Sequence, residues 1–404
     1  MKRSTLIALL MSAGCLAIAG ASDAQIQKPK YTDYKDIRFP AAFPSQLAPE
    51  IPFDKIDTNF FKFPADLKYG QHVDFGEVAA VTDDAAGNIY VLNRNNVKGG
   101  VYGSAATEVL MFDAKGNYVR EYGHNQYGFA YGHGIRVHNG ALYVVDKGAD
   151  MVTAFDLKSG KNIMVLGRRN EGSSAYWEQN PGDRAKRPPE DGAFAEPTDI
   201  AWDSHNNMYV SDGYVHSRVA KFDKDGTYIG TWGTQGTQPG QFRTVHNIQI
   251  DKNDHVWVAD RTNGRIQVFD TEGNFLREVI VNVPTKTYTA DLGHEGPPPH
   301  YDADNSNDKP QNLMTRPGTP DALCYSPKEA VMYVGDIYPG RVYKVDLSGK
   351  VLGYFGHVGK APGNSGPIHG LACGNANIIY TAEFVNNRVE RFVIHPEAAK
   401  VTGN

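Results

Sequence analysis

The chain repeats one pattern of strands and turns six times. The stretch "TVHNIQIDKNDHVWVADRTNGRIQVFD" (244–270) shows the unit: an alternating strand, a turn rich in Asn and Asp, a second strand with an acidic end, and a third strand. A fourth strand often follows and ends in an aromatic residue and glycine, as in "YIGTWG". The other five copies are "VAAVTDDAAGNIYVLNR", "HGIRVHNGALYVVDKG", "TDIAWDSHNNMYVSDGY", "DALCYSPKEAVMYVGDIYPGRV" and "HGLACGNANIIYTAEFVNNRV".

Four short strands that recur at a regular spacing predict the blades of a β-propeller. Where nothing is inserted, the unit returns about every 48 residues, which is typical of propeller repeats. We therefore predict an all-β protein, a six-bladed propeller with four-stranded antiparallel blades over 59–396. Inserted loops are expected at 170–193 and 282–318, and a C-terminal tail at 397–404.

Closure of the ring is not obvious from the repeats. The sixth unit ends after "RVERFVI" (388–394) without a clear fourth strand. The leader "NFFKFPADL" (59–67) precedes the first unit, where there is no first strand for it to join. Because an open sheet edge promotes unwanted pairing, we predict that this leader supplies the missing strand of the sixth blade. The alternative is that 25–67 is a covering arm, and the prolines and aromatic residues of 25–58 fit an N-terminal arm.

The N-terminus has the features of an export signal. Lys2 and Arg3 precede an apolar stretch that is too short to span a bilayer comfortably, and small residues suited to cleavage follow, namely Ala19, Ala21 and Ala24. We predict that 1–24 is a signal peptide, that no transmembrane segment remains after cleavage, and that the protein is periplasmic or secreted. The alternative is a lipid anchor at Cys15, although Ser12 stands where a lipidation signal prefers a larger aliphatic residue.

Composition limits the classes of function and the source of stability. Of the 404 residues, 41% are apolar and 22% are charged, and the formal net charge is -5. These values describe a globular protein, and no basic stripe suggests a nucleic-acid partner. After signal cleavage Cys324 and Cys373 remain, too few for the disulfide framework of small exported domains, so we expect stability to come from a large core. We expect a monomer.

Many repeated charged residues are predicted to be structural. Acidic residues end four of the second strands: Asp146, Asp212, Asp260 and Asp336. Arginines begin four of the third strands: Arg218, Arg265, Arg341 and Arg388. Because both series recur with the repeat, we interpret them as pairing within blades rather than as contacting a substrate.

One position breaks the repeat in a regular way. It lies two residues before the aligned apolar residue of each first strand, and we call it the ring position. From the first unit to the sixth, its occupants are Ala79, His133, Thr198, His246, Asp321 and His369. Since first strands line the channel of a propeller, histidines on alternate blades form a near-equilateral triangle around the axis.

Three imidazoles that converge on one point suit a metal ion. Three neutral imidazoles with an open fourth position are a ligand set of catalytic zinc, whereas structural zinc sites are closed and favour thiolates. We therefore predict a zinc site formed by His133, His246 and His369. The alternative is a set of channel-lining histidines held by water.

The ends of the second strands lie on the same face as the histidines, because adjacent strands of a blade are antiparallel. Three of these ends carry Arg94, Tyr214 and Arg261, and units 2, 5 and 6 place Lys147, Ile337 and Phe384 near the corresponding spot. Guanidinium groups pair with carboxylates, and a phenol near a cation can lose its proton at usable pH, so the set suits a substrate with a carboxylate. The alternative for each arginine is an ion pair with a strand-end aspartate.

The two inserted loops rise beside the same face. They can form a rim or lid over a substrate, or they are mobile decoration. The aromatic residues that would contact a substrate are Tyr176, Trp177, Tyr288 and Tyr301. His294 and His300 make the second loop a rival metal-binding segment.

Three stretches resemble the NHL-repeat propeller of peptidyl-α-hydroxyglycine α-amidating lyase, the domain that finishes peptide C-terminal amidation. They are "PTDIAWDSHNNMYVSDGYVHSRVAKFD", "PGQFRTVHNIQIDKNDHVWVADRTNGRIQVF" and "NIYVLNR", and the similarity extends over 70–395. The resemblance implies zinc ligands and catalytic residues at matching positions: His133, His246 and His369 as ligands, and Tyr214, Arg94 and Arg261 around them.

The sequence departs from the family pattern in several places. The third zinc histidine of the family is followed by an aspartate that binds structural calcium, whereas here Gly370 follows, which argues against a Ca²⁺ site. Family cysteines near the tyrosine and the second arginine are replaced by residues such as Val215, Trp257 and Val268.

The resemblance implies a carbon–nitrogen lyase that breaks the N–C bond of an α-hydroxyglycine-type carbinolamide to give an amide and glyoxylate. Tyr214 would be the base or proton shuttle, and Arg94 with Arg261 would hold the carboxylate. Two alternatives stay open: a metal-dependent lactonase or ring-opening lyase on the same face, and a non-catalytic periplasmic NHL-repeat binding or scaffolding protein.

Overall fold

The protein folds into six small antiparallel sheets, as seen in a computed structural model that describes residues 46–64, 75–94, 107–126, 128–168, 188–283, 318–337 and 339–399. The first strands of the six sheets contact one another in sequence and close into a ring, since the first strand of the sixth sheet contacts that of the first. The prediction of an all-β, six-bladed propeller is confirmed. Within the described residues, no helix has the length and apolar character needed to span a bilayer.

The strands follow the repeats of the sequence. Blade 1 contains β1 (Glu77–Asp83), β2 (Ile89–Arg94), β3 (Thr107–Phe112) and β4 (Tyr118–Tyr122). Blade 2 contains β5 (Gly132–His138), β6 (Ala141–Asp146), β7 (Met151–Asp156) and β8 (Asn162–Gly167). Blade 3 contains β9 (Pro197–Trp202), β10 (Met208–Asp212), β11 (Arg218–Phe222) and β12 (Tyr228–Trp232), and is followed by the short strands β13 (Thr234–Gln235) and β14 (Gln241–Phe242).

The second half continues the pattern. Blade 4 contains β15 (Val245–Ile250), β16 (Val256–Asp260), β17 (Arg265–Phe269) and β18 (Phe275–Val279). Blade 5 contains β19 (Pro320–Ser326), β20 (Val331–Asp336), β21 (Val342–Asp346) and β22 (Val351–Phe355), followed by the short strands β23 (His357–Val358) and β24 (Asn364–Ser365). Blade 6 contains three strands, β25 (Gly370–Asn375), β26 (Ile378–Glu383) and β27 (Arg388–Val393).

Apolar side chains of neighbouring blades pack against each other and form the core. A cluster between blades 3 and 4, for example, joins Tyr209 and Val219 to Ile248 and Val258, all of them fully buried. Because each cluster joins two adjacent blades, no blade buries its apolar face alone. The core therefore lies between the blades, and the axis is left for polar side chains.

In blades 3 and 4 the repeated aspartate and arginine pair within the blade, as predicted. Arg218 Nε lies 2.9 Å from Asp212 Oδ2, and Arg265 Nε lies 2.8 Å from Asp260 Oδ2. In the first of these blades Arg218 also donates to the carbonyl of Ala193 in the connection that precedes the blade. Each pair thus ties the second and third strands of a blade to the chain entering it.

The prediction that the leader 59–67 completes the sixth blade is wrong for its described part, 59–64. Lys62 forms a parallel bridge with Asn117 beside β4, so these residues lie against blade 1. The place beside β27 is taken instead by Phe53, which forms an antiparallel bridge with Ile394. The segment predicted as an arm therefore contributes directly to the edge of blade 6.

Aromatic packing explains the path of the leader. Phe61 packs edge-on against Phe112 of blade 1, with ring centroids 4.9 Å apart, and Phe60 lies 6.3 Å from Tyr380 of blade 6. The two phenylalanines thus fill the seam between the first and last blades. The partial burial of these two aromatic rings stabilises the closure of the ring of blades.

Cys324 and Cys373 form a disulfide between β19 and β25, the inner strands of blades 5 and 6. The two cysteines were predicted to be too few for a disulfide framework, and their pairing was not foreseen. They are 49 residues apart in sequence, and closing a loop of that length removes about 4 kcal/mol of chain entropy from the unfolded state. A disulfide of this kind indicates an oxidising compartment.

Candidate metal centre

The three histidines of the ring position meet at one end of the channel. The distances between their ring centroids are 4.7 Å for His133–His246, 4.6 Å for His133–His369 and 4.9 Å for His246–His369. One ring nitrogen of each lies within 4.8 Å of one nitrogen of each of the others. All three residues are buried. The triangle predicted from alternate blades is therefore present.

A β-bulge presents the ring residue to the axis. In blade 4 the pairing passes from Val245–Asp260 to Asn247–Ala259, so His246 has no partner in β16. Blade 2 has the same shift around His133, between Gly132 and Gly134. An extra residue of this kind bends the strand and redirects its side chain, which is a common device beside active sites.

Each histidine is held by the neighbouring blade through the same hydrogen bond. His133 Nδ1 lies 2.8 Å from the carbonyl oxygen of Thr198, His246 Nδ1 lies 2.7 Å from that of Asp321, and His369 Nδ1 lies 2.6 Å from that of Ala79. All three acceptors occupy the ring position of the next blade. Since a carbonyl only accepts, each Nδ1 carries the proton, and each Nε2 keeps its lone pair.

The site keeps the imidazoles neutral. Burial lowers the pKa of His133, His246 and His369 well below the ordinary value of 6.5, and the charges of surrounding groups add to this effect. For His246 the first of these charges is that of Arg261. Neutral imidazole is the form that binds a metal ion.

The residues fit a divalent transition metal ion. Among the described residues His246 Nε2 is buried without a hydrogen-bond partner, which is costly unless something else occupies its lone pair. Three nitrogen ligands, each oriented by a carbonyl on its second nitrogen, match the donor set of catalytic zinc. His133, His246 and His369 are therefore the residues that would hold the ion.

Tyr214 lies beside the triangle. Its hydroxyl is 3.2 Å from His133 Nε2, and its ring packs edge-on against His133 with centroids 5.4 Å apart. Burial raises the pKa of Tyr214, and the nearby Arg261 acts against that shift. The phenol thus has both a contact to the metal-binding nitrogens and a cation that favours its ionised form.

Arg261 follows β16 and is fixed by a residue of the next blade. Its guanidinium lies 5.3 Å from the Tyr214 ring centre, and its NH1 lies 3.2 Å from Asp321 Oδ1. Asp321 Oδ1 is also 3.1 Å from His246 Nδ1. Asp321 therefore joins a predicted ligand to a predicted catalytic residue, a role that the sequence indicated only by its place in the ring.

Arg94 is buried and is held by three neighbouring residues. Its NH1 lies 2.6 Å from Glu77 Oε1, its Nε donates to the carbonyl of Gly132 at 2.7 Å, and its guanidinium lies 3.9 Å from the centre of the Tyr131 ring. Gly132 directly precedes His133. Arg94 thus supports the strand end that presents a histidine, and its ion pair is with Glu77 rather than with a strand-end aspartate.

Lys147 is a residue that the repeats place near the site, although the sequence pattern indicates no role for it. Its Nζ lies 3.8 Å from the centre of the Tyr214 ring, 5.5 Å from that of Tyr131, and 3.7 Å from Glu196 Oε2. The signal was its occurrence in blade 2 at the position that holds Arg94 in blade 1. Phe384, at the same position in blade 6, packs edge-on against His369 with centroids 5.3 Å apart.

Several predicted features lie outside the described residues. They include the signal peptide 1–24 with Cys15, the aromatic residues Tyr176, Trp177, Tyr288 and Tyr301, and the rival ligands His294 and His300.

At Gly370 a Cβ atom would lie 2.8 Å from the Cα of Ala80, so packing leaves no room there for the aspartate of the calcium-binding pattern. The expectation about Ca²⁺ stays a prediction.

Comparison with known proteins agrees with the propeller fold. A family model described as "6-bladed beta-propeller" matches residues 189–309. The chain is 35% identical over 157 residues to peptidyl-glycine alpha-amidating monooxygenase A of Xenopus laevis, which covers 36% of this chain and 15% of that protein. It is 32% identical over 169 residues to a probable peptidyl-alpha-hydroxyglycine alpha-amidating lyase of Caenorhabditis elegans, which covers 40% of this chain and 43% of that protein.

A longer match extends the similarity. Peptidyl-alpha-hydroxyglycine alpha-amidating lyase 1 of Drosophila melanogaster is 23% identical over 368 residues, covering 74% of this chain and 62% of that protein. The resemblance to the amidating lyases is thereby confirmed. The aligned parts nevertheless span less than two thirds of each of these relatives.

Solved structures are similar in fold. A protein of unknown function from Bacteroides thetaiotaomicron superposes with a TM-score of 0.53 at 13% identity, covering 86% of this chain and 77% of that chain. At this level of identity the likeness concerns the propeller alone.

Proposed function

We propose that this protein is an exported, metal-dependent lyase that cleaves an α-hydroxyglycine-type carbinolamide into an amide and glyoxylate. The observation that carries the proposal is the triangle of His133, His246 and His369 with Tyr214 in contact with it. These positions match the motifs through which the sequence resembles the amidating lyases. The disulfide supports an extracytoplasmic location, which is periplasmic or secreted.

The reaction needs two proton transfers and no external reagent. The carbinol hydroxyl loses its proton, its oxygen forms the C=O bond of glyoxylate, and the bond from that carbon to the amide nitrogen breaks. The nitrogen takes one proton and leaves as the amide. A single group that accepts the first proton and returns it to the nitrogen is enough.

The residues present can divide these tasks. A divalent ion bound by the three histidines would supply a Lewis acid that makes the carbinol hydroxyl more acidic. Tyr214, whose hydroxyl lies 3.2 Å from His133 Nε2, would move the proton from the carbinol hydroxyl to the amide nitrogen. Arg261, close to Tyr214, would pair with the substrate carboxylate, and the enclosed Arg94 would add positive potential.

The test is glyoxylate release by zinc-loaded protein, purified without a polyhistidine tag, from N-acyl-α-hydroxyglycines. We expect release by the wild type, and a turnover about 10²-fold lower for Tyr214→Phe, because a positioned acid–base group is lost. The zinc content and circular dichroism of that variant should match the wild type. Full activity of zinc-loaded Tyr214→Phe would disprove the role given to the phenol.

The substrate panel also separates the alternatives. A wild-type protein that releases no glyoxylate from any N-acyl-α-hydroxyglycine would remove the proposed reaction. Hydrolysis of lactones or cyclic esters by that protein would then favour a lactonase. Less than stoichiometric tightly bound metal, together with no turnover, would favour a binding or scaffolding protein.

A further inference from the structure

The residues that border the metal centre differ in chemistry from one side to the other. We call the border position the residue that ends or closely follows each second strand on the histidine face. Its occupants in blades 1 to 4 are Arg94, Lys147, Tyr214 and Arg261, whereas blades 5 and 6 carry Ile337 and Phe384. Three cations and a phenol thus face two apolar side chains across the axis.

The backbone shows that three of these residues are equivalent. The amide of Lys147 donates to the carbonyl of Tyr131, that of Arg261 to Thr244 and that of Ile337 to Thr319, at 3.1, 3.0 and 3.2 Å. In each case the acceptor lies two residues before the ring position. Ile337 therefore holds in blade 5 the place that a cation holds in blades 2 and 4.

The cationic side is closely balanced by acids. Arg94 pairs with Glu77, Lys147 lies near Glu196, and Arg261 pairs with Asp321. Because each of these cations lies near one carboxylate, a bound divalent ion would leave an excess of positive charge at this end of the channel. A substrate carboxylate is therefore attracted to this end, and the N–H donors that can pair with it, those of Lys147 and Arg261, lie on the side of blades 1 to 4.

The side formed by blades 5 and 6 is suited to an apolar group rather than to a charged one. Phe384 is partly exposed, and its ring lies in a T-shaped arrangement with that of a ligand histidine, His369, with centroids 5.3 Å apart. Phe384 thus contacts the site and still offers surface to a bound molecule. An apolar group placed there would bury aromatic surface without displacing any charged residue.

We infer that the natural substrate has an apolar acyl group next to its carbinolamide, and that Phe384 binds this group while the carboxylate lies toward Lys147 and Arg261. This inference rests on the proposed function. It assigns Phe384 as a residue that determines specificity, and it names the substrate class as N-acyl-α-hydroxyglycines with a bulky apolar acyl chain.

Two analogues that lack the hydroxyl and cannot be cleaved test the inference by calorimetry on zinc-loaded protein. They are N-acetylglycine and N-(3-phenylpropanoyl)glycine. We expect the wild type to bind the second about tenfold more tightly, and Phe384→Ala to reduce this preference to about threefold or less while binding N-acetylglycine as before. Phe384→Leu should give an intermediate preference, and it guards against a failure of the alanine variant to fold.

Val385→Ala is the matched control, because Val385 is apolar, adjacent in sequence and 52% exposed. It should leave both affinities unchanged, and zinc content is measured for every variant. Equal weakening of both analogues by Phe384→Ala, or no preference in the wild type, would overturn the inference. If the wild type shows the preference but releases no glyoxylate from the hydroxylated compounds, the proposed reaction fails and the apolar contact stands.

Discussion

Each histidine of the metal centre depends on one long-range hydrogen bond. His369 Nδ1 is bound by the carbonyl of Ala79, 290 residues away in sequence, and the other two have equivalent partners. The bond fixes the tautomer and points Nε2 toward the axis. Removing one imidazole leaves two, which bind an exchangeable ion far less tightly than three.

We therefore expect His246→Ala to lose bound zinc and activity together while keeping the β-sheet circular dichroism spectrum. His255→Ala is a suitable control, because His255 lies near Asp251 in the turn of the same blade and away from the triangle. It should keep stoichiometric zinc. Retention of zinc by His246→Ala would show that the ion is held elsewhere.

The pH dependence of metal binding follows from the lowered pKa of the three histidines. Because burial keeps His133, His246 and His369 neutral below pH 6.5, protons do not compete with the ion near neutrality. We expect the zinc dissociation constant to change by less than about threefold between about pH 7.5 and 6.0. If the three imidazoles were exposed, their protonation would weaken zinc binding about 50-fold over that interval. Chelator competition at each pH distinguishes the two cases.

Within a blade, two arginines only a few residues apart have different tasks. Arg265 begins β17 and is fully buried, with its guanidinium bonded to Asp260, Glu278 and the carbonyls of Gln238 and Gln241. Arg261 precedes it on a short 3₁₀ turn and faces the metal centre. The short turn between β16 and β17 thus separates a structural arginine from a candidate substrate-binding arginine.

Arg265→Ala should lower the free energy of unfolding by about 3–5 kcal/mol, because Asp260 is left buried without its partner. Arg261→Ala should lose less stability, keep zinc and bind a carboxylate-bearing substrate more weakly. Urea unfolding followed by Trp fluorescence measures the free energy of unfolding, and calorimetry measures the affinity for the substrate. A larger loss of stability in Arg261→Ala than in Arg265→Ala would contradict this division.

At the scale of the whole molecule, the blades are joined in three ways. Apolar clusters fill the interfaces, a disulfide connects blades 5 and 6, and Arg136 connects five blades on the axis. Arg136 of blade 2 bonds to Asp199 of blade 3 at 2.6 Å, to Asn247 of blade 4, and to the carbonyls of Leu323 and Leu371 in blades 5 and 6. One guanidinium thus satisfies acceptors from four other blades below the metal centre.

We expect Arg136→Met to destabilise the whole propeller by about 3–5 kcal/mol, since it leaves the buried Asp199 without its ion pair. Unfolding should stay a single transition, because all blades share the loss. Lys224→Met, which removes an ion pair on an exposed turn, should have no measurable effect. A separate early transition for part of the chain would show that Arg136 holds only some of the blades.

The repeat, the number of blades and the residues of the candidate site could all be predicted from the amino-acid sequence. The period of the repeat places the strands, and the ring position follows from that period, so the triangle of His133, His246 and His369 could be predicted as well. The same reasoning brought Tyr214 and Arg261 to that face. These features depend on residues close together in sequence or on the repeat, so every unit indicates the same strands and the same positions.

Other contacts became apparent only in the folded structure. They are the ion pairs of Lys147 and Arg261, the Cys324–Cys373 pair, and the bridge to blade 6 from Phe53 rather than from the leader 59–64, and all of them join residues far apart in sequence. Such contacts occur once and have no period. They are set by how blades of unequal insertions pack around one axis, and a repeat pattern carries no information about them.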